Sequence, residues 1–113
     1  MTDEENLRRV LTDGGFSRKL GEYEGRTVLL GTEVNDESEE FCVVVYWNDT
    51  ETDEGVVIAT VDNSHGQTAH VDKYGEDGKE ERTVLSPQVD TVYEAEQYAK
   101  DNWRSLAEFH FSG

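Results

Sequence analysis

Two of the chain's three histidines lie in one polar stretch, VDNSHGQTAHVDKYG, which runs from residue 61 to residue 75. Asp62 precedes the first of them, His65, and Asp72 follows the second, His70. An imidazole with an ordinary pKa of about 6.5 can donate or accept a proton at neutral pH, and a nearby carboxylate can hold it in position. These four residues are therefore the candidate catalytic group of the chain.

Two kinds of chemistry suit such a group. Two imidazoles placed across a scissile phosphate could cleave RNA without a metal, His65 and His70 acting as base and acid while Asp62 and Asp72 orient them. Alternatively, His65, His70 and Asp72 could bind zinc or manganese, because these ions accept imidazole and carboxylate ligands. The His-x4-His spacing does not by itself identify a metal site.

A third interpretation needs no chemistry. Asp62 or Asn63 would hydrogen-bond the backbone and shape a turn, Gly66 would supply a positive φ angle, and both histidines would be surface residues. We take this interpretation as the leading one and expect neither a cofactor nor a resident metal.

The segment from Phe16 to Leu85 must position these residues, and its hydrophobic pattern predicts strands. The run FCVVVYW, from Phe41 to Trp47, is continuously apolar and rich in β-branched and aromatic residues. It predicts a central strand that is covered on both faces, or on one face by a partner. Asp77 and Gly78 are a strong hairpin signal. Short polar connections elsewhere predict an antiparallel meander. The predicted strands are FSRKLGEY, RTVLLGTEV, FCVVVYW, VVIATVD, AHVDKY and EERTVL.

A helix is predicted on each side of the strand region. The stretch DEENLRRVLTDGG predicts a short N-terminal helix that ends at Gly14. Thr91 and Glu94 have the spacing of a capping box, and a long helix is predicted after them. His110, near the end of this helix, is expected to stabilise the negative end of the helix dipole. The predicted inward stripe comprises Ala95, Tyr98 or Ala99, Asn102 or Trp103, Leu106 and Phe109.

These elements predict a single α+β domain over residues 1–113. An antiparallel meander sheet of about six strands is flanked by a short N-terminal helix and a long C-terminal helix. The long helix covers one sheet face. The apolar content of the second to fourth strands indicates that the other face is not fully exposed, and a homodimer through that face is one possibility.

The composition indicates a habitat more clearly than a function. The chain has 26 Asp and Glu against 10 Lys and Arg, a formal net charge of −16, and only four lysines. Repulsion between these charges destabilises a compact chain in dilute buffer, whereas molar salt shortens the Debye length to about 3 Å and screens it. Acid excess with scarce lysine on a foldable pattern predicts a cytoplasmic protein of an extreme halophile.

Other features narrow the class of protein. The single cysteine, Cys42, excludes an intramolecular disulfide, and its apolar neighbours predict a buried structural thiol. The first ten residues, MTDEENLRRV, contain no apolar core of a signal peptide, and the longest apolar run is too short to cross a bilayer. We therefore expect a cytoplasmic protein without a membrane partner.

The order of elements and the string VDNSHGQTAHVD resemble the TumE-type small toxins of prokaryotic toxin–antitoxin pairs, over roughly residues 41–106. Asp62, Asn63, His65 and His70 match the family's pattern. The resemblance implies a ribonuclease-like activity that uses these residues. Three departures concern the residues that would handle a phosphate. An arginine of the family is Thr60 here, a second adjacent histidine is Gly66, and the later His-x-His is His70-Val71-Asp72. The chain equally resembles an uncharacterised haloarchaeal family that shares the scaffold.

The sequence therefore predicts a small cytoplasmic interaction module adapted to high salt, without catalysis. It predicts an unidentified protein partner. The alternative is a metal-independent ribonuclease-like toxin, and only in that case do we expect a nucleic acid to bind so acidic a chain.

Overall fold

The computed structural model describes residues 16–35, 37, 40–63 and 68–112. It shows a six-stranded antiparallel sheet in the order β1-β2-β3-β4-β5-β6, followed by one long helix. The predicted meander and C-terminal helix are confirmed, whereas the predicted N-terminal helix and His65 lie outside the described residues. The elements are β1 (Phe16–Tyr23), β2 (Arg26–Asn35), β3 (Glu40–Asp49), β4 (Glu54–Asp62), β5 (His70–Tyr74), β6 (Glu80–Val84) and α1 (Val92–Phe111).

Strand β3 lies in the middle of the sheet, as its apolar run predicts. It pairs with β2 along one edge and with β4 along the other. Every side chain from Phe41 to Tyr46 is buried, because successive residues point to opposite faces and both faces are covered. Cys42 is among them, as predicted for a structural thiol.

The hairpin turns use left-handed backbone conformations. Glu24 and Gly25 join β1 to β2 with φ angles of 50° and 81°, the two positive values that a type I′ turn requires. Between β5 and β6, Gly78 has a φ angle of 88°, and Gly75 N–H donates to the Lys79 carbonyl at 2.7 Å. The three residues inside that bond form a longer loop than a two-residue Asp-Gly turn.

Helix α1 begins with the predicted capping box. Thr91 Oγ1 accepts from the Glu94 backbone N–H at 3.2 Å, and Glu94 Oε1 accepts from the Thr91 backbone N–H at 3.2 Å. Its buried residues, which contact the sheet or face it, are Ala95, Ala99, Trp103, Leu106, Ala107 and His110. The small residues of this stripe let the helix approach the strands closely, and Trp103 fills the space over β1 beside Gly21.

The core has a part on each face of the sheet. On the helix side, the sheet contributes residues such as Val43, Val61 and Val71. On the opposite side, Cys42, Val44 and Tyr46 form a second apolar cluster with Val57. These side chains are buried within a single chain. A homodimer through this face of the sheet stays a prediction.

Within the described residues, no helix combines the length and the apolarity that crossing a bilayer requires.

Candidate functional site

The pairing of β4 with β5 brings three of the predicted site residues together. Asp62, the last residue of β4, is the register partner of His70, the first residue of β5. Asp72 lies two residues further along β5 and therefore points to the same face as His70. This face is the one opposite α1. Asp62 is the register partner of Cys42 in β3, so the two side chains share a face, and Cys42 belongs to the apolar cluster on the side away from the helix.

His70 lies between the two carboxylates. Its Nε2 is 3.0 Å from Asp62 Oδ1 and 3.6 Å from Asp72 Oδ2. Its Nδ1 lies 3.2 Å from the backbone carbonyl oxygen of Thr68, a group that can only accept a hydrogen bond. Both ring nitrogens of His70 therefore face oxygen atoms of the protein.

Strand β6, which pairs with β5, contributes an arginine to this group. Arg82 in β6 is the register partner of Asp72. Its Nε donates to Asp72 Oδ1 at 2.7 Å and its Nη2 donates to Asp72 Oδ2 at 3.0 Å. This bidentate hydrogen bond raises the pKa of the Arg82 guanidinium above its ordinary value, so the group stays cationic. Asp62, His70, Asp72 and Arg82 thus form a continuous group of polar contacts across three strands, which we call the Asp–His–Arg cluster.

Most of the cluster is shut off from solvent. Asp62 and His70 are each 4% exposed and Asp72 is 6% exposed, whereas the Arg82 side chain is about half exposed. Thr60, the register partner of Asp72, is completely buried. Its hydroxyl has no hydrogen-bond partner among the described residues. A charged group that is buried in this way is stable only when its partners remain in place.

The described residues do not form a metal site. No group of three or more histidine, cysteine, aspartate or glutamate side chains within residues 16–35, 37, 40–63 and 68–112 is arranged to hold an ion. His65 was part of the predicted ligand set and lies outside that range. Its approach to His70, which both the metal and the ribonuclease interpretations need, therefore stays a prediction.

Comparison with known proteins gives a family and no activity. A family model described as "Domain of unknown function (DUF7718)" matches residues 1–112. The chain belongs to this family. No curated protein and no solved structure matched the chain. The function of this DUF7718 domain must therefore be inferred from its own residues.

Sequence reasoning missed the arginine of the cluster. Successive side chains of β6 point to opposite faces of the sheet, so the face of Arg82 depends on the length of the loop between β5 and β6. The Asp77-Gly78 signal does not determine that length. A two-residue loop at that dipeptide would place Thr83 opposite Asp72. The observed three-residue loop shifts the register by one residue and places Arg82 there instead.

The burial of His110 was also not predicted. His110 lies in the last turn of α1, as the expected interaction with the helix dipole requires, and its side chain is in the interior, 2% exposed. Its Nδ1 donates to the Tyr74 carbonyl at 2.6 Å, and its own carbonyl accepts from the Glu76 backbone N–H. His110 in this DUF7718 domain therefore joins α1 to the end of β5.

Proposed function

We propose that this DUF7718 domain is a small, non-catalytic, cytoplasmic interaction module adapted to high salt. The observation that carries the proposal is the enclosure of His70. Its side chain is buried, and both ring nitrogens face protein oxygens rather than an open cleft. A general acid or base must reach the proton that it transfers, directly or through one water.

The cluster has a structural role in this proposal. Asp62 lies on β4, His70 and Asp72 on β5, and Arg82 on β6, so their contacts tie three consecutive strands together. A shift of one residue in either hairpin would turn at least one member to the opposite face. Buried charged groups that meet only in one register favour that register over its alternatives.

The charge of the chain supports the high-salt part of the proposal. The loop between β3 and β4 carries Glu51 and Asp53, and β4 begins with Glu54; all three residues are exposed. Such surfaces repel one another in dilute buffer and lose that repulsion when salt screens the charges.

An interaction surface is available at the edge of the sheet. Strand β6 is the last strand in the sheet order, and all five of its residues are exposed, including Val84. Edge strands can accept an extended segment of a partner through main-chain hydrogen bonds. An unidentified protein, or a second copy of the chain, would bind here rather than through the buried face of β3.

One observation favours the alternative, a metal-independent ribonuclease-like toxin. The contact between Asp62 and His70 is the kind that orients a catalytic imidazole. That mechanism requires His70 to become accessible and His65 to lie across the same phosphate.

The two functions are separated by expression and by an RNA-cleavage assay. The wild-type chain is induced in a halophilic host while growth and total RNA are followed. In parallel, the purified protein is incubated with a fluorescently labelled single-stranded RNA in molar KCl with EDTA. An interaction module leaves growth and RNA intact, and His70→Gln lowers only the melting temperature.

A toxin gives the opposite result. Growth stops and RNA is cleaved by the wild-type chain, and His65→Ala and His70→Gln each relieve both effects. Gly21→Ala, a destabilising change far from the cluster, serves as the control. If it relieves toxicity as strongly as His70→Gln, the histidine effect reflects loss of fold, and if it does not, the proposal of a non-catalytic module is wrong.

A further inference from the structure

A cavity of about 310 Å³ lies at the opposite end of β3 from the Asp–His–Arg cluster. It is formed where the turn between β1 and β2 meets the end of β3. Apolar surface comes from Leu29 and Trp47, and polar groups come from Arg26, Thr27, Asn48 and Thr50. Its size is at the lower end of the range for small-molecule sites, which is about 300–1,000 Å³. It therefore has room for a ligand of about one ring with a single polar substituent.

Arg26 is held in position by aromatic rings. Its guanidinium carbon lies 4.2 Å from the ring centroid of Phe111 and 5.3 Å from that of Trp47. Trp47 and Phe111 pack edge to face against each other with centroids 5.5 Å apart. Contact with two aromatic rings restricts the guanidinium before any ligand arrives, which reduces the entropy lost on binding.

The charge of the cavity lining favours an anionic ligand. Among the described residues that line the cavity, Arg26 is the one with an ionic side chain, in a protein whose net charge is −16. The Glu24 side chain has its Oε2 3.7 Å from Arg26 Nη1 and is about two-thirds exposed. An exposed pair at this distance contributes about 0–1 kcal/mol, so a carboxylate or phosphate that also contacts the cavity can displace it.

The remaining polar side chains of the lining add neutral contacts. The hydroxyl and amide groups of Thr27, Asn48 and Thr50 line the cavity beside Arg26 and can hydrogen-bond a polar group of a ligand.

We propose that this cavity binds a small, flat, apolar molecule that carries one carboxylate or phosphate group, with Arg26 as the anion-binding residue. The apolar part packs on Leu29 and Trp47. The proposal goes beyond the interaction module proposed above and does not depend on it, because the cavity shares no residue with the Asp–His–Arg cluster or with β6.

The test uses the two tryptophans of the chain as reporters. The full-length protein, labelled with ¹⁵N, gives two indole N–H signals, which are assigned with the Trp103→Phe variant. Benzoate is titrated at constant ionic strength, and benzamide, which has the same shape without the charge, is titrated in parallel. We expect the Trp47 signal to shift with saturation near a Kd of about 1 mM, typical of a fragment of this size, while the Trp103 signal stays in place.

Variants decide whether Arg26 carries the binding. Arg26→Gln should weaken benzoate at least about tenfold, the loss expected for a charge-assisted hydrogen bond. Arg104 is the matched control, because its guanidinium carbon also lies over an indole ring, 4.6 Å from the Trp103 centroid. Arg104→Gln should leave the affinity unchanged. Phenyl phosphate tests whether carboxylate or phosphate is preferred.

Three results would overturn the proposal: no saturable shift of the Trp47 signal, equal affinity for benzoate and benzamide, or full affinity in Arg26→Gln. An unchanged Trp103 signal in Arg26→Gln shows that the variant is folded. If the Trp103 signal moves in Arg26→Gln, the Arg26→Lys variant is tested as well, because it retains the positive charge at this position. It should keep more affinity than Arg26→Gln, and equal affinity of the two variants contradicts the role of Arg26.

Discussion

At the scale of single residues, the Asp–His–Arg cluster places an imidazole and a guanidinium against two buried carboxylates. His70 separates Asp62 from Asp72, with its Nε2 3.0 Å from one carboxylate and 3.6 Å from the other. Without the imidazole, the buried carboxylates of Asp62 and Asp72 would lose the group that separates them. Removing one member of a buried ion pair is therefore far more costly than removing an exposed charge.

We predict that His70→Ala lowers the free energy of unfolding by about 3–5 kcal/mol, because it leaves the Asp62 charge buried without its imidazole. Adding Asp62→Asn to that variant should restore about 1–2 kcal/mol, since the remaining amide carries no charge. Urea denaturation followed by circular dichroism in molar KCl measures both changes.

Glu80→Gln is the control for this rescue, because Glu80 is exposed on β6 and its removal changes the net charge equally. It should not stabilise His70→Ala by more than a few tenths of a kcal/mol. Equal rescue by both substitutions would show that overall charge, rather than the cluster, sets the stability.

The site shows how far sequence reasoning reaches at this scale. Asp62, His70 and Asp72 could be grouped because the strand period of two fixes which residues share a face, and a hairpin brings Asp62 opposite His70. Burial of the group was not predicted. The covering of a sheet face depends on packing across the whole chain, which no local spacing encodes.

At the scale of elements, the strands and the C-terminal helix follow from local signals. Each of these signals spans only a few residues. They are the alternation of apolar and polar residues, the apolar run of β3, the Asp77-Gly78 dipeptide and the capping box of Thr91 and Glu94. The register of the hairpin between β5 and β6 does not follow from the local sequence. The Asp77-Gly78 dipeptide is compatible with a loop of two residues and with a loop of three. That single-residue difference decides whether Arg82 or Thr83 faces Asp72.

The contact between β1 and α1 depends on the absence of a side chain at Gly21. A Cβ atom built there would lie 2.9 Å from Trp103 Cη2 and closer still to Cζ2. Gly21 follows a register irregularity in the β1–β2 pairing between Lys19 and Gly21. Glycine within a strand often marks a close approach of another element, and here that element is the buried indole of Trp103.

We predict that Gly21→Ala lowers the free energy of unfolding by about 1–3 kcal/mol, because overpacking forces Trp103 and α1 away from the sheet. Trp103→Phe leaves room for the added methyl group, so Gly21→Ala should cost less in that background. A double-mutant cycle from chemical denaturation measures the coupling between the two positions. Additive effects of the two substitutions, or a stabilising Gly21→Ala, would contradict the contact.

At the scale of the whole molecule, the charge is distributed over a surface that covers a conventional core. Both faces of β3 are buried, so the low apolar fraction of the chain, 35%, reflects its surface rather than an incomplete interior. The folded state therefore brings many carboxylates closer together than the unfolded chain does. The resulting repulsion opposes folding and depends on ionic strength.

We predict that raising KCl from about 0.1 M to about 3 M increases the melting temperature by about 10 °C or more, equivalent to roughly 2 kcal/mol for a chain of this length. The matched variant is Glu51→Gln/Glu54→Gln/Glu108→Gln, which removes three exposed acids. With less repulsion to screen, it should melt higher than the wild type at low salt and gain less from added KCl. Glu108 lies in the last turn of α1, where a negative charge also opposes the helix dipole, so its removal acts in the same direction. Differential scanning calorimetry at several salt concentrations measures both slopes. A wild-type melting temperature that does not change with KCl would show that charge repulsion does not limit the stability of this fold and would remove the basis for a high-salt habitat.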